Sequence, residues 1–321
     1  MNSLPPLSLK KGLSTRRLPV LFLMPSHKIS ELDLIKRISK KVKVDASVVC
    51  GIGDDTAVLR ATKDKYQLFT ADMLIEDVDF TRRAHPEDIG HKALACSLSD
   101  IAAMGGMPCY ALVSLGMPKK GSVRFIDGFY AGLLRLAKKF KVSVVGGDLS
   151  LSEKIVINIS VIGEVRKEGV VFRSGAKPRD ILFVSGPLGG SFYGRHLTFT
   201  PRIKEAHYLV NNYKVNAMLD ISDGLSLDLR RLCLASQAGA VVYEDLIPVS
   251  ADAKSFDEAL HMGEDFELLF SMPLAEARRL IQEKGVYFKA IGEIREKHYG
   301  IKFITKKAQE KVLEAKGYQH F

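Results

Sequence analysis

The chain has 321 residues, of which 46% are hydrophobic and 26% charged. This balance is typical of a globular protein of about two domains and excludes a disordered, collagen-like or coiled-coil chain. The formal net charge of +10 admits a nucleic-acid or anionic-membrane partner until the distribution of the charge is known. The four cysteines, Cys50, Cys96, Cys109 and Cys233, lie far apart without zinc-ligand spacing. We therefore expect reduced thiols and a cytoplasmic location.

The first 23 residues contain no acidic residue and four basic ones, Lys10, Lys11, Arg16 and Arg17. Such a composition is compatible with a transit peptide. A simpler interpretation is that Met24 starts the chain and that the preceding residues are upstream read-through or a flexible arm. We expect residues 1–27 to be a disordered extension outside the fold. No run of about 18 apolar residues occurs along the chain, so no membrane-spanning helix is predicted.

Apolar spacing predicts helices over 30–41, 86–104 and 122–140. Runs rich in β-branched and aromatic residues predict strands over 66–71, 110–116, 142–145, 155–165, 180–185, 216–221, 240–244, 266–271 and 286–292. Strands interleaved with helices indicate an α/β or α+β chain. The polar stretch 166–180 contains two glycines and a proline and predicts a boundary between an N-terminal domain, 28–165, and a C-terminal domain, 166–321.

Acidic residues recur beside glycine or serine where predicted strands end. The segments are Gly51-Ile52-Gly53-Asp54-Asp55, Thr70-Ala71-Asp72, Gly146-Gly147-Asp148, Asp220-Ile221-Ser222-Asp223-Gly224 and Gly263-Glu264-Asp265, while Asp100 follows Ser97-Leu98-Ser99 on an apolar helix. One aspartate after a strand is usually a turn former or a helix cap. Six such sites together favour convergence at one sheet edge, where carboxylates repel each other unless cations lie among them. Mg²⁺ bridges carboxylates and phosphates, and glycines let amides approach a phosphate closely. The pattern therefore predicts phosphoryl transfer on a metal and polyphosphate site.

Other nucleotide and catalytic motifs do not fit. Residues 189–196 have the glycine spacing of a P-loop but lack its Lys-Ser/Thr pair. Thr56 stands where a dinucleotide-binding fingerprint has its third glycine. The eight histidines form no metal-spaced cluster, and no nucleophile with an adjacent base is recognisable.

Eight segments occur in one order from residue 51 to the end of the chain. They are GIGDDTAVL (51–59), FTADMLIEDVDF (69–80), DIGHKALACSLSDIAAMGGMP (88–108), VVGGDLS (144–150), FRSGAKPRD (172–180), MLDISDGLSLDL (218–229), GEDFELLF (263–270) and GYQHF (317–321). As an ordered set they resemble thiamine-monophosphate kinase, a family of the aminoimidazole ribonucleotide synthetase-like superfamily. The resemblance implies a two-domain α/β (α+β) fold, with a mixed-sheet N-terminal domain, an α/β C-terminal domain and a homodimeric assembly.

The same resemblance implies that ATP phosphorylates thiamine monophosphate to thiamine diphosphate. Transfer would be direct and in-line, without a phospho-enzyme, on a cluster of several Mg²⁺ ions. The implied partners are ATP, thiamine monophosphate and a second copy of the chain, with neither nucleic acid nor membrane.

Site residues follow from the matching motif positions. The implied metal ligands are Asp55, Thr70, Asp72, Asp100, Asp148, Asp220 and Asp223, with Asp54 as a further candidate and with Asp148 and Asp220 acting catalytically through the metal. The implied ATP contacts are Gly147, Arg173, Ser222 and Tyr130. For Tyr130, a place in a helix core is the alternative. The implied substrate contacts are Asp79, Glu264 and Tyr318.

Three positions depart from the resembled pattern: Asp79 replaces a histidine, Leu149 a threonine and Arg179 a glycine. An ionised aspartate cannot donate a hydrogen bond to a substrate phosphate, so that contact is left open. None of the three replacements removes an implied metal carboxylate. We therefore expect the phosphoryl-transfer chemistry to be retained.

Three other functions are weighed against this one. The first is another ATP-dependent enzyme of the superfamily, similar to selenophosphate synthetase or to the hydrogenase maturation factor. These need a reactive cysteine near the N-terminus or a terminal cysteine tail, whereas no cysteine precedes Cys50 or follows Cys233. The second is an inactive ATP-binding regulator. The third, nucleic-acid binding, is disfavoured because the basic pairs are scattered and lack interleaved aromatic residues.

Overall fold

The structure is a computed structural model that describes residues 30–119, 122–283, 285 and 287–318. The extension expected at residues 1–27 lies outside these residues. The helices within them are α1 (Glu31–Ser39), α2 (Pro86–Ala103), α3 (Val123–Phe140), α4 (Ile203–Asn212), α5 (Leu225–Ser236), α6 (Phe256–His261) and α7 (Leu274–Gln282). The strands are β1 (Val48–Cys50), β2 (Ala57–Arg60), β3 (Lys65–Ile75), β4 (Met107–Met117), β5 (Ser143–Leu151), β6 (Val156–Arg166), β7 (Ile181–Val184), β8 (Ala217–Asp220), β9 (Ala238–Tyr243), β10 (Leu268–Met272), β11 (Lys289–Glu296), β12 (Ile301–Ile304) and β13 (Glu310–Val312).

The strands form two mixed sheets. The first has the order β1-β2-β3-β6-β4-β5 and the second the order β13-β12-β9-β11-β7-β10-β8. Neighbouring strands are antiparallel except for the parallel pairs β4–β5 and β9–β12. The predicted two-domain mixed α/β fold is confirmed.

The segment 167–180 joins the last strand of the first sheet to the first strand of the second. Within it Arg179 has φ of 75°, a left-handed conformation that glycine adopts at lower cost than any other residue. The domain bounds at 165 and 166 stay a prediction. The larger buried cluster contains residues from both sides of them, among them Leu94 and Phe270.

Helix α2 packs between the two parts of the molecule. It contacts β3, β6 and α3 on one side and α4 and β8 on the other. Its contact with α3 is close: a Cβ on Gly90 would lie 1.9 Å from the carbonyl oxygen of Phe129, and one on Gly132 would lie 1.8 Å from that of Glu87. Only glycine allows this approach, which fixes the N-terminal part of α2 against α3.

Two strands, β3 and β5, extend further along the chain than the sequence predicts. Strand β3 continues to Ile75, pairing with β6 along its whole length, and β5 continues to Leu151 along β4. Asp72 and Asp148 therefore lie inside strands, and the prediction that they follow strand ends is wrong. The apolar residues beyond each acid extend the pairing, which overrides the local turn signal of glycine and aspartate. None of the helices in the described chain has the length and apolarity needed to cross a membrane.

Candidate active site

Three carboxylates converge from separate parts of the chain. Asp55 lies in the loop between β1 and β2, Asp100 near the end of α2, and Asp220 at the end of β8. One oxygen atom of each lies within 4.8 Å of the others. We call these three residues the acidic cluster. The predicted convergence occurs, but between the two sheets rather than at one sheet edge, because α2 carries Asp100 into the space between them.

Hydroxyl groups orient the carboxylates. Thr70 of β3 donates to Asp100 at 2.5 Å, and Ser99 of α2 donates to Asp220 at 2.5 Å. Beside the cluster, Ser97 donates to Asp72 at 2.6 Å. Each hydroxyl satisfies one carboxylate oxygen without adding charge, so the negative charge of the site is preserved.

Arg173 binds the loop that carries the first carboxylate. Its Nη2 atom donates to Asp55 Oδ1 at 2.6 Å, and its backbone amide donates to both oxygens of Asp54 at 3.2 Å. Burial opposes the guanidinium charge, but the charges of Asp55 and Asp54 outweigh it and raise the pKa of Arg173. A planar, permanently charged group thus faces the cluster.

The electrostatics of the cluster favour a bound cation. Burial, followed by the charges of neighbouring carboxylates, raises the pKa of Asp100 and Asp220 well above the ordinary value, and the same causes raise that of Asp54 to about 7. The Oδ2 atom of Asp55 is buried and has no hydrogen-bond partner among the described residues. A divalent cation with oxygen ligands would supply that partner and offset the repulsion. The donor set therefore fits Mg²⁺.

A wide cavity of about 880 Å³ opens beside the cluster. Helix α1 and the turn 51–57 form part of its wall, together with Thr70, Arg173 and Asp223. We call it the α1 cavity. Its volume lies in the range of small-molecule and cofactor sites, and its lining combines apolar side chains of α1 with the charged groups of the cluster.

A second cavity, of about 170 Å³, lies next to it. Its polar lining includes Asp72, Asp79, Ser222, Asp223, Lys92, Glu264 and Tyr318, and we call it the Tyr318 cavity. Tyr318 forms part of its wall and is held there, because its amide donates to the carbonyl oxygen of Asp223 at 3.2 Å. Asp223 lines both cavities and so marks where they meet.

Most of the predicted site residues line these two cavities or belong to the acidic cluster. Those brought together are Asp54, Asp55, Thr70, Asp72, Asp79, Asp100, Arg173, Asp220, Ser222, Asp223, Glu264 and Tyr318. Asp79 also uses its carboxylate within its own loop, where Oδ2 accepts from the amide of Ile75 at 2.7 Å. Their roles stay predictions.

Three predicted residues lie elsewhere in the single chain. Asp148 is exposed on the edge strand β5, where its carboxylate accepts from Ser150 at 2.7 Å. Gly147 precedes it, with φ of 156°. Tyr130 lies in α3 with its ring 5.4 Å from that of Phe129. None of the three lines either cavity.

Sequence reasoning missed several residues around the site. Lys92, fully buried in α2, donates to Glu264, and Arg231 lies 2.5 Å from the carboxylate of Asp223. His196 is also buried and lies 2.7 Å from Glu264. The one signal available was that Lys92 directly precedes the apolar run Ala93–Cys96 of a predicted helix, since buried lysine is rare without a partner.

Comparison with known proteins agrees with this geometry. Residues 53–165 match the family AIR synthase related protein, N-terminal domain, and residues 179–304 match AIR synthase related protein, C-terminal domain. A thiamine-monophosphate kinase of Bacillus subtilis is 35% identical over 325 residues, covering 91% of this chain and 100% of that protein. One of Rhodopirellula baltica is 40% identical over 248 residues, covering 72% of this chain and 78% of that protein.

A solved structure, AaThiL complexed with AMPPCP and TMP, superposes with a TM-score of 0.81 and 32% identity. The match covers 94% of this chain and 100% of that one. The order of motifs, the two mixed sheets and the full-length relatives thus agree with one another. The chain belongs to the AIR synthase related proteins and, within them, to the thiamine-monophosphate kinase family.

Proposed function

We propose that the chain transfers the terminal phosphate of ATP to thiamine monophosphate, giving thiamine diphosphate and ADP. The observation that carries the proposal is the acidic cluster of Asp55, Asp100 and Asp220 beside two adjoining cavities. Full-length relatives named thiamine-monophosphate kinase support it, as does a superposable structure complexed with AMPPCP and TMP.

We assign ATP to the α1 cavity and thiamine monophosphate to the Tyr318 cavity. The larger cavity has an apolar wall suited to a base and has Arg173 for the phosphates. The smaller one offers the ring of Tyr318 and several acids to a cationic aromatic substrate. Because Asp223 lines both, the two phosphate groups would meet there, which suits direct in-line transfer without a covalent intermediate.

The residues proposed to hold Mg²⁺ are Asp55, Thr70, Asp72, Asp100, Asp148, Asp220 and Asp223. When bound, the metal ions supply charge neutralisation for the phosphates. The protein itself orients the carboxylates, because the hydroxyls of Thr70 and Ser99 donate hydrogen bonds to Asp100 and Asp220, respectively. Arg173 fixes Asp55.

We further propose a homodimer in which Asp148 acts on the partner's site. Side chains of directly paired residues share a face of a sheet, and the register Asp148–Ser114–Asn158–Met73 runs across the first sheet. Asp148 therefore lies on the face opposite Asp72, whose side chain meets α2, and three strand spacings of about 4.8 Å away. A contribution from a second chain would account for this separation.

The assembly is tested by mixing two inactive variants. Asp148→Asn and Asp220→Asn, carrying different tags, are co-expressed and the doubly tagged dimers are purified. If Asp148 acts on the partner's site, each mixed dimer has one intact site and recovers about half the activity of wild type. Mixed dimers as inactive as either parent would show that both aspartates act within one chain.

The activity is tested by ADP release with thiamine monophosphate, thiamine, aminoimidazole precursors and selenide as acceptors. We expect release only with thiamine monophosphate and Mg²⁺, and a loss of at least about 100-fold for Asp220→Asn with the circular dichroism spectrum unchanged. Release with selenide or an aminoimidazole precursor instead would point to another enzyme of the superfamily. Wild-type rates for Asp220→Asn in saturating Mg²⁺ would contradict the metal assignment.

The cytoplasm is the proposed location. All four cysteines are free thiols, as expected where glutathione and thioredoxin keep thiols reduced. Partial oxidation during purification without reductant is expected at Cys50 and Cys109, which are partly exposed, rather than at the buried Cys96 and Cys233.

A further inference from the structure

Lys92 is a buried cation that the proposed phosphoryl transfer does not use. It lies in α2 with no exposed surface, and its ammonium donates to both oxygens of Glu264, at 2.8 and 2.6 Å. The same ammonium donates to the carbonyl oxygen of Asp79 at 2.7 Å and lies 3.0 Å from Nδ1 of His196. Burial of a charged amine is unfavourable unless it is fully paired, so this one has a specific partner.

Glu264 is the partner, and it faces the Tyr318 cavity. Its backbone adopts φ of 55°, a left-handed conformation that is unfavourable for a residue other than glycine. The amide donates to the carbonyl oxygen of Ser222 at 2.6 Å, and the hydroxyl of Ser191 donates to the carbonyl oxygen of Glu264 at 2.5 Å. A strained backbone held from both sides at a cavity wall is typical of a functional position.

The segment 191–202 binds each acid of the segment 264–267. Nδ1 of His196 lies 2.7 Å from Glu264, Arg195 donates to Asp265 at 2.8 Å, and Arg202 donates to Glu267. The ion pairs of Arg195 and Arg202 thus hold the segment on either side of His196. Glu264 consequently has little freedom to change rotamer or to swing into solvent.

Burial by itself would favour the protonated form of Glu264. The hydrogen bond with His196 and the charge of Lys92 outweigh burial and lower the pKa of Glu264 below its ordinary value. An ionised carboxylate only accepts hydrogen bonds. The cavity wall therefore presents a fixed acceptor beside the acids Asp72, Asp79 and Asp223.

We infer that Lys92 and His196 are positioning residues, which hold the carboxylate of Glu264 as the acceptor for an amino group on a cationic heteroaromatic substrate. The inference rests on the proposed function, because thiamine monophosphate has such a ring system with a pyrimidine amino group. It assigns substrate selection to a lysine and a histidine that lie 104 positions apart in the sequence. The amino group of the substrate would complete the hydrogen bonding of a carboxylate that is already held by Lys92 and His196 on its buried side.

The test compares two substrates and five proteins. The substrates are thiamine monophosphate and its analogue in which the pyrimidine amino group is replaced by oxygen. The proteins are wild type, Lys92→Met, Glu264→Gln and the double variant, with Lys204→Met as a matched control that removes an exposed lysine. The measured quantities are kcat and KM for each substrate, KM for ATP, and the dissociation constant of each substrate by calorimetry with AMPPCP present.

We expect wild type and Lys204→Met to prefer the amino substrate by at least tenfold in KM. Lys92→Met and Glu264→Gln should each lose most of this preference, the double variant should lose no more than Glu264→Gln alone, and KM for ATP should stay within twofold. Where Lys92→Met does not fold, His196→Leu takes its place, with His196→Asn expected to retain the preference because its amide can still donate to Glu264.

A purely structural role predicts a different result. In that case Lys92→Met or His196→Leu lowers the melting temperature but leaves the preference for the amino substrate intact. Alternatively, the effect of either variant on that preference adds fully to the effect of Glu264→Gln. Either outcome overturns the inference. Failure of the proposed function is distinguishable, because it appears as absent ADP release by wild type. The calorimetric preference and its loss in the variants test the inference independently of turnover.

Discussion

Hydroxyl groups of threonine and serine pair with three acids of the site, in the pairs Thr70–Asp100, Ser97–Asp72 and Ser99–Asp220. A lysine or arginine at these positions would neutralise the site and compete with a metal ion. A hydroxyl instead donates one hydrogen bond and leaves the second oxygen of the carboxylate available. Arg173 is the exception, and its Nη2 donates to a single oxygen of Asp55 while the other has no described partner.

Asp54 gives a pH-dependent prediction at the scale of one residue. Burial and the charge of Asp55 raise the pKa of Asp54 to about 7, so the folded protein binds a proton at Asp54 more tightly than the unfolded chain does. The metal-free wild-type protein should therefore lose stability relative to Asp54→Asn as pH rises from about 4 to 7. Above pH 7 the variant should be more stable by about 4 kcal/mol, and near pH 4 the two should be equal.

Urea unfolding at several pH values in the presence of a chelator measures this difference. Asn keeps an acceptor oxygen for the amides of Arg173 and Asp55, so the charge is the main change. Added Mg²⁺ should stabilise the wild type more than the variant. A variant that is less stable than wild type at pH 8 would show that Asp54 is stabilised by its partners despite burial.

Asp79 gives a second prediction at this scale. Its carboxylate accepts from the amide of Ile75 and lies at the Tyr318 cavity, where a negative charge repels a substrate phosphate. Asp79→Asn keeps the acceptor and removes the charge, so KM for thiamine monophosphate should fall about threefold with kcat within twofold. Asp79→His should leave the apparent affinity unchanged or improve it.

Steady-state kinetics measures the effect, and Asp77→Asn serves as control. Asp77 is an exposed acid of the same loop, paired with Lys154 at 3.1 Å, and does not line the Tyr318 cavity. Its replacement should leave KM unchanged. A large rise in KM for both Asp79 variants would instead show that its carboxylate has a positive role with the substrate.

Strand β5 illustrates how a single element depends on close backbone approach. Gly147 has φ of 156°, and a Cβ there would lie 1.8 Å from the carbonyl oxygen of Val113 on β4. At the adjacent Gly146, a Cβ would meet nothing closer than a side-chain methyl of Leu112 at 3.4 Å. The two glycines are neighbours in sequence, but only the second requires the absence of a side chain.

Gly147→Ala should therefore displace β5 from β4. We expect a loss of about 2 kcal/mol or more in the free energy of unfolding, together with a loss of ATP-dependent activity if Asp148 acts at the site. Gly146→Ala should change stability by less than about 1 kcal/mol. Thermal and urea unfolding compare the two, and equal stability of both variants would contradict the close approach of β5 and β4.

At the scale of the whole molecule, one face of the first sheet is exposed and apolar. Helices cover the other face, while Phe69, Met73, Tyr110 and Leu112 are each more than 40% exposed. A contiguous exposed patch of this kind usually marks an interaction surface. It supports the proposed homodimer, and Asp148 lies on the same face.

Leu112→Asp should convert the dimer to a monomer, because it buries a charge in the interface without affecting the core of either chain. Light scattering measures the mass, and activity should fall with dimer content. Leu246→Asp, at an exposed leucine of the C-terminal part, is the control and should leave the mass unchanged. A Leu112→Asp protein that stays dimeric would place the interface elsewhere.

The sequence by itself determined the long helices and most of the acidic residues of the site. Helix α2 is predicted over 86–104 and observed over Pro86–Ala103, and α3 is predicted over 122–140 and observed over Val123–Phe140. Apolar residues at helical spacing report which face is buried, which is a local property. The recurring aspartates also point to the site, since so many buried acids are unfavourable without cations.

Only the tertiary structure decided which acids meet. It places Asp55, Asp100 and Asp220 together from a loop, a helix and a strand end, leaves Asp148 on the opposite face of a sheet, and pairs Lys92 with Glu264 across 172 positions. Periodicity records whether a side chain is buried but not what it faces. What a side chain faces depends on the packing of α2 between two sheets. There, close contacts at glycines and the pairing of strands that are far apart in sequence bring these side chains together.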